Sequence, residues 1–431
     1  MAENSTEMTE LQLPYGGSTL RYKLPRRNVA EVLIPNKVNA GLEQQDSLIE
    51  EALDNPIGTA RLEEMVQPDQ QVAIIIDDLT RPTPAARILP KVVKRLKKSG
   101  VADRQIEIII ALGTHRAMTK EEIQRKVGEE IAGVLRIENH DFHDTDTLSF
   151  AGDSHDGLPV WINRRVIEAD FRIGIGNIVP HCVAGWAGGG KIIYPGVAGE
   201  KTVDAFHGAF GTDLANRVGN ENAPIRKEIE RLVEYVGLEY IVNTILTGEG
   251  IIYRVVAGDY RRAYRKGVEY ARAVYAVQSR TMADIAVVSS YPADIDFWQA
   301  GKAVYSGELL VRDGGTLILV TPCPEGIVHN HDLLAYMSME PDQLKKMLYN
   351  FQVEDRSAAA AALRLGLITR RIKVIVVSEG LTENDAQRLG FGYARYLQEA
   401  VNAALKAYGD NCKLSVLTHG GDIYPEKNRA I

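Results

Sequence analysis

The stretch Gln71-Val72-Ala73-Ile74-Ile75-Ile76-Asp77-Asp78-Leu79-Thr80-Arg81-Pro82-Thr83-Pro84 decides the fold. Its first six residues form an apolar, β-branched run of strand length, as expected of a strand buried on both faces. A polar, proline-stiffened turn follows, and then a helix running towards Lys98 that Gly100 ends, so the whole reads as a βα half-unit. A second half-unit comes at once. Its strand is Ile106–Ala111, its loop is Gly113-Thr114-His115-Arg116, and its helix opens on Thr119-Lys120-Glu121-Glu122, the pattern of a capping box. Alternation of this kind predicts α/β architecture. In open α/β sheets ligands bind beyond the carboxyl ends of the strands, so both loops outweigh the same residues placed elsewhere.

The alternation extends in both directions. Strand Phe171–Gly176 leads into an unusual segment, 177–208, and strand Tyr240–Leu246 precedes a charge-rich helix over 259–275 that reads as a linker. A second α/β set begins at Ala283–Val288 and continues through Thr316–Val320 and Ile372–Val377. Near the end, Leu397, Ala400, Val401, Ala404, Leu405 and Tyr408 repeat at helical spacing, and Lys413–Leu417 reads as a late strand. The expected division is an N-terminal α/β domain over 1–265, completed by the tail 415–431, and a C-terminal α/β domain over 279–411, joined by helical linkers.

The remaining composition narrows the function. With 431 residues, 45% hydrophobic and 25% charged, the chain is an ordinary globular one of more than one domain, neither disordered nor coiled coil. No run approaches the apolar length of a spanning helix and the first residues lack a basic, apolar leader, so a cytoplasmic protein without membrane contact is expected. Cys182, Cys323 and Cys412 are too few and scattered for a disulfide framework or a CxxC knuckle. A net charge of −7 argues against nucleic acid, and the basic cluster over 91–98 reads as a solvated helix face. A small molecule is the expected partner.

Within 180–196, Gly188-Gly189-Gly190-Lys191 has too much glycine for a helix and too little polarity around it for a surface loop. Successive glycines let main-chain N–H groups line up on an anion, while Lys191 could neutralise a phosphate or present a nucleophilic amine. It is not a Walker A loop, because Ile192 stands where the hydroxyl residue would hold magnesium, and no G-x-G-x-x-G opens a helix here. His115, His181 and His207 lie in strand-end or glycine-rich contexts. By contrast, His140, His143 and His155 lie among Asp141, Asp144, Asp146 and Asp153 and read as a solvated loop without metal-ligand spacing. His329 and His331 flank Asn330 in a later loop. Asp78, Thr80 and Arg81 offer an acceptor, a hydroxyl and a bidentate clamp for carboxylate or phosphate. In the second set, Trp298, Gln299 and Lys302 begin a helix, with Gln299 and Lys302 on one face; alone, they read as an exposed helix start.

Collectively these residues resemble the nickel-pincer lactate racemase family of 2-hydroxyacid racemases and epimerases. The resemblance rests on Asp77–Pro84, Gly113–Arg116, Pro180-His181, the glycine run ending at Lys191, His207, and Gln299-x-x-Lys302, in that order over most of the chain. His181 lies ten positions before Lys191 and His207 sixteen after it, as the family leads one to expect. The resemblance implies an active site in the cleft between two α/β domains. It implies that Lys191 is joined through a thioamide to a pyridinium mononucleotide bearing nickel, with His207 as the protein's metal ligand. His115 and His181 would be the paired acid/base residues. Asp78, Thr80, Gly189 and Gly190 would bind the cofactor, and Arg81, Gln299, Lys302 and Trp298 the substrate. Cofactor-biosynthesis enzymes become implied partners, for a monomer or small homo-oligomer. Trp298 departs from the tyrosine expected in lactate-specific members, so a bulkier or differently polar 2-hydroxyacid is a candidate substrate.

The chemistry accounts for the residue types. A C–H beside a carboxylate is a poor acid, so inversion at C2 proceeds more readily by removing hydride than proton. On the model that the resemblance implies, an electrophilic ring would take the hydride while a histidine would take the hydroxyl proton, giving a planar 2-oxoacid that could accept hydride on either face. Two bases are needed, one for each enantiomer, together with a cationic clamp for the carboxylate. The competing readings are a binding protein of the same fold that has lost the chemistry, and an NAD-dependent 2-hydroxyacid dehydrogenase, against which the missing dinucleotide fingerprint counts.

Overall fold

The computed structural model describes residues 7–210, 213, 215–327, 332–350 and 352–427; His329 and His331 lie outside them. Two compact units are formed, one from 37–179 and 183–274, the other from 1–36, 180–182 and 275–431.

The first unit is built on a six-stranded sheet in the order Ile252–Gly258, Tyr240–Leu246, Phe171–Asn177, Val72–Asp77, Ile106–Ala111, Arg136–Asn139. Only the first pair is antiparallel. Every residue of Val72–Asp77 is buried, as its uniformly apolar run requires of a central parallel strand. From that strand the chain moves outward through Ile106–Ala111 to Arg136–Asn139, then returns to place Phe171–Asn177 on the other side. The order reverses between Val72–Asp77 and Phe171–Asn177, and such a switch point opens a crevice at the strands' carboxyl ends. The core beneath joins Ile74, Ile76, Ile108, Ile110, Ile173 and Ile175 to Ile88, Leu89 and Val92 of helix Ala85–Lys98. The capping box forms as expected: Thr119 Oγ1 accepts from Glu122 N at 3.2 Å and Glu122 Oε2 from Thr119 N at 2.8 Å.

The second unit has a fully parallel sheet in the order Gly392–Ala394, Lys373–Val377, Val311–Val320, Ala283–Ser289, Leu414–Leu417, Val29–Leu33. Here the expected division needs correction. Strand Val29–Leu33 belongs to this sheet, pairing with Leu414–Leu417, and the tail strand Tyr424–Lys427 pairs with Ala276–Ser279 of the same unit. Neither the first 36 residues nor the tail completes the first unit. The helix expected to link the domains runs from Arg262 to Tyr275, and Ala263, Val268, Ala271 and Val274 are buried along one face, so it is a packed part of the first unit up to residue 274. Among the described residues no helix is long and apolar enough to cross a membrane.

Candidate active site

Three loops leave the carboxyl ends of the first unit's central strands, and each brings a residue singled out from the sequence. After Val72–Asp77 the chain turns so that Asp78 Oδ1 accepts from Thr80 N at 3.1 Å and Thr80 Oγ1 at 2.6 Å. Arg81 Nη1 donates to Thr80 Oγ1 at 2.8 Å, bracing the guanidinium against the same turn. After Ile106–Ala111, Gly113 takes φ +57°, a conformation that favours glycine, and the turn closes through His115 N to Leu112 O at 3.0 Å. That turn sets His115 Nδ1 2.5 Å from Asp78 Oδ2.

A carboxylate can only accept, so Nδ1 carries the proton and Nε2 is the nitrogen able to exchange one. The Asp78 side chain is 4% exposed and the His115 side chain 20%. Burial pushes the Asp78 carboxyl up, but the charge and hydrogen bond of His115, the charge of Arg81 and the Thr80 hydroxyl overturn this and hold it below the ordinary value of 3.8. Its folded value being depressed, Asp78 adds stability that is complete above the ordinary carboxylate range and is lost as pH falls through the folded value.

The third loop follows Phe171–Asn177 and bears the glycine run, whose glycines have a packing role besides the one expected. Gly189 N donates to Asn243 Oδ1 at 2.8 Å, so that N–H is turned towards protein. A Cβ at Gly189 would lie 2.9 Å from the Tyr264 ring, and one at Gly190 2.9 Å from Val233 Cγ2. What approaches this backbone is packed side chains. Arg226 completes the frame, donating to Gly188 O at 3.2 Å while its guanidinium lies 4.1 Å from the Tyr264 ring. The run thus forms a rigid 3-10 turn, Gly189–Ile192, that holds half-buried Lys191. Gly189→Ala is expected to destabilise the protein, by roughly 1–2 kcal/mol for the left-handed backbone and about 1–3 kcal/mol for overpacking. A fall in thermal midpoint checks this, whereas an unchanged midpoint would mean that the turn relaxes freely.

His207 lies on helix Glu200–Phe210, with Nδ1 2.9 Å from Val203 O and 3.1 Å from Tyr194 Oη. A carbonyl again fixes the proton on Nδ1 and leaves Nε2 as the possible ligand atom, the arrangement common among metal-binding histidines.

The other predicted residues fall elsewhere. His181 lies in the short segment 180–182, which clusters with the second unit, whereas His115, Lys191 and His207 belong to the first. Trp298, Gln299 and Lys302 open helix Phe297–Gly307 of the second unit, capped by Asp296 Oδ1, which accepts from Gln299 N at 2.8 Å. The start of that helix is not exposed, since Phe297 and Gln299 are buried, and the Lys302 ammonium donates to Gln299 Oε1. Trp298 is half-buried, and its backbone N–H donates to Ile327 O at 3.0 Å. His140 is not part of a solvated loop: it is buried, its Nε2 lies 3.0 Å from Ala198 O, and burial pushes the imidazole down to about 4. Among the described residues no group of three or more His, Cys, Asp or Glu is arranged to hold a metal by itself.

Sequence reasoning missed Asn243 and Lys126. Asn243, a polar residue inside the buried run Tyr240–Leu246, was signalled by that contradiction. The adjacent carboxylates Asp77 and Asp78, at the end of a buried strand, called for a cation; Lys126 Nζ lies 2.8 Å from Asp77 Oδ1.

A mostly parallel sheet with a switch point, bearing a carboxylate-oriented histidine and a lysine on a glycine turn, has the make-up of an α/β enzyme. Residues 15–219 match the family model of the lactate racemase N-terminal domain, and residues 278–423 that of the lactate racemase C-terminal domain. The chain therefore belongs to the lactate racemase family, and it is an isomerase of the racemase type. It is 30% identical to the lactate racemase of Lactiplantibacillus plantarum over 423 residues, covering 96% of this chain and 99% of that one. To the lactate racemase of Thermoanaerobacterium thermosaccharolyticum it is 29% identical over 425 residues, 96% and 98% of the two chains. The apoprotein structure from that organism superposes with a TM-score of 0.87 at 28% identity, covering 97% of this chain and all of that one. A Thermotoga maritima protein shares the fold at 22% identity, with a TM-score of 0.71 over 91% of this chain and all of that one.

Proposed function

We propose that this racemase inverts C2 of a small 2-hydroxyacid of the lactate class by reversible hydride transfer, with a nickel-pincer pyridinium mononucleotide attached to Lys191. The observation that supports the reading is that two imidazoles are each committed through Nδ1, His115 to Asp78 and His207 to the Val203 carbonyl. One is thereby suited to exchange a proton at Nε2 and the other to ligate a metal there. When bound, the nucleotide supplies an electrophilic centre that takes hydride from C2 and returns it.

The chain's own residues do the rest. His115 Nε2 takes the hydroxyl proton, and the Asp78 carboxylate stabilises the imidazolium that results. Arg81, braced by Thr80, binds the substrate carboxylate, with Asp78, Thr80, Gly189 and Gly190 next to the nucleotide. His181 serves as the base for the other enantiomer, and Gln299, Lys302 and Trp298 hold and size the substrate. The attachment to Lys191 requires separate cofactor-making enzymes as partners.

Racemisation in D2O tests the reading. The loaded enzyme is expected to interconvert enantiopure 2-hydroxyacids while the product keeps its original hydrogen at C2, as mass spectrometry after chiral separation would show. Deuterium at C2 would replace the hydride step with proton abstraction. Loaded protein that turns over no 2-hydroxyacid would favour a binding role, and turnover requiring added NAD a dehydrogenase.

A further inference from the structure

We infer that Lys126 is a positioning residue for the His115–Asp78 pair, acting as a buried knot that fixes the Asp77–Arg81 turn. The inference rests on the functional reading above only in taking His115 as the acid/base group.

Lys126 stands in the last turn of helix Lys120–Val127, and its side chain is 8% exposed. Its ammonium lies 2.8 Å from Asp77 Oδ1 and donates at 2.8 Å to the carbonyl oxygens of both Asp78 and Arg81. Two of the ammonium's three donors go to the carbonyls of this turn, and the Asp77 carboxylate faces it as an ion pair. The two carbonyls bracket the residues that shape the site, so Lys126 sets where the Asp78 carboxylate and the Arg81 side chain leave the backbone.

The charge matters as much as the geometry. Asp77 and Asp78 are neighbouring buried carboxylates, and two negative charges so placed oppose each other's ionisation. The Thr83 hydroxyl donates to Asp77 Oδ2 and Lys126 faces its other oxygen; burial still pushes the Asp77 carboxyl up, so the two partners offset part of the cost of its charge. Asp78 is left to hold its charge towards His115. A Cβ at Gly176 would lie 3.3 Å from Asp77 Oδ2, so this glycine leaves the room in which the Asp77 carboxylate sits. The helix bearing Lys126 begins just after the His115 loop, so one short segment supplies both the acid/base group and the clamp on its partner.

The test uses Lys126→Met and Lys126→Arg in the full chain, with 15N NMR of the imidazoles to read the tautomer of His115 in the apoprotein. Wild type is expected to show His115 as the Nδ1–H form, and Lys126→Met to show a mixture, with Lys126→Arg partly restoring the wild-type signal. In the loaded enzyme kcat should fall by about 100-fold in Lys126→Met, the scale of a misplacement of about 1 Å, with KM changing much less. If Lys126→Met does not fold, Asp77→Asn with Lys126→Met removes the stranded carboxylate and is read in the same way. A Nδ1–H signal unchanged in a folded variant, with only the melting temperature lowered, overturns the inference. If the tautomer shifts as expected while His115→Ala racemises normally, the positioning stands and the acid/base assignment of His115 falls.

Discussion

Lys191→Ala is expected to yield a folded chain with no covalent adduct and no racemase activity above background. The backbone that presents Lys191 is fixed by neighbours the substitution leaves alone: Gly189 N on Asn243, Arg226 on the Gly188 carbonyl, and Gly190 against Val233. Loss of the side chain therefore removes the attachment point with little change in thermal midpoint. Lys191→Arg sharpens the result. It keeps a positive charge for any phosphate, but a guanidinium cannot take the place of the amine in the proposed thioamide, so the adduct should be lost from it too. Intact mass and nickel content after co-production with cofactor-making enzymes give the readout. A loaded Lys191→Ala protein, or an active one, would end the assignment.

The second large effect is expected at the His115–Asp78 pair. His115→Ala should keep the adduct on Lys191 and lower kcat by roughly 10²–10⁴-fold, the usual worth of a positioned acid/base group. Asp78→Asn should approach the same loss by another route. An amide at the position of Oδ2 can face Nδ1 with its NH2 group, which favours the Nε2–H tautomer and leaves no lone pair where the substrate proton must go. The two substitutions should not add, because they disable one unit. Full activity in Asp78→Asn would show that His115 is oriented by something other than this carboxylate.

Much of this could be read from the chain before any coordinates. The uniform burial of Val72–Asp77 follows from its apolar run, and the placing of His115 follows from a strand ended by Gly113. Other features were hidden because they depend on long-range pairing. Val29–Leu33 is short and interrupted by Glu31, and nothing local says that its partner is Leu414–Leu417 rather than a strand of the nearer sheet. The packing role of the glycine run is hidden for a related reason: a glycine demanded by a ligand and one demanded by a tyrosine ring look alike until Tyr264 is in place. Lys126 sat in a helix whose capping box and charges pointed to water, and only the fold turns its ammonium onto Asp77.

The pairing of Val29 with Leu414 also sets an order of events during synthesis. Val29–Leu33 leaves the ribosome about 380 residues before its partner, an interval on the order of tens of seconds at about 5–20 residues per second. Throughout that interval the early strand has an open edge and no sheet to join. Even in the finished protein Val32 is 42% exposed and Ile34, just beyond the strand, 46%. The intervening segment 37–274, broken only at 180–182, supplies the unit that holds His115, Lys191 and His207. The unit that carries the proposed attachment site is thus complete in sequence before the other sheet can close, and a nascent chain stalled beyond residue 274 already contains Lys191.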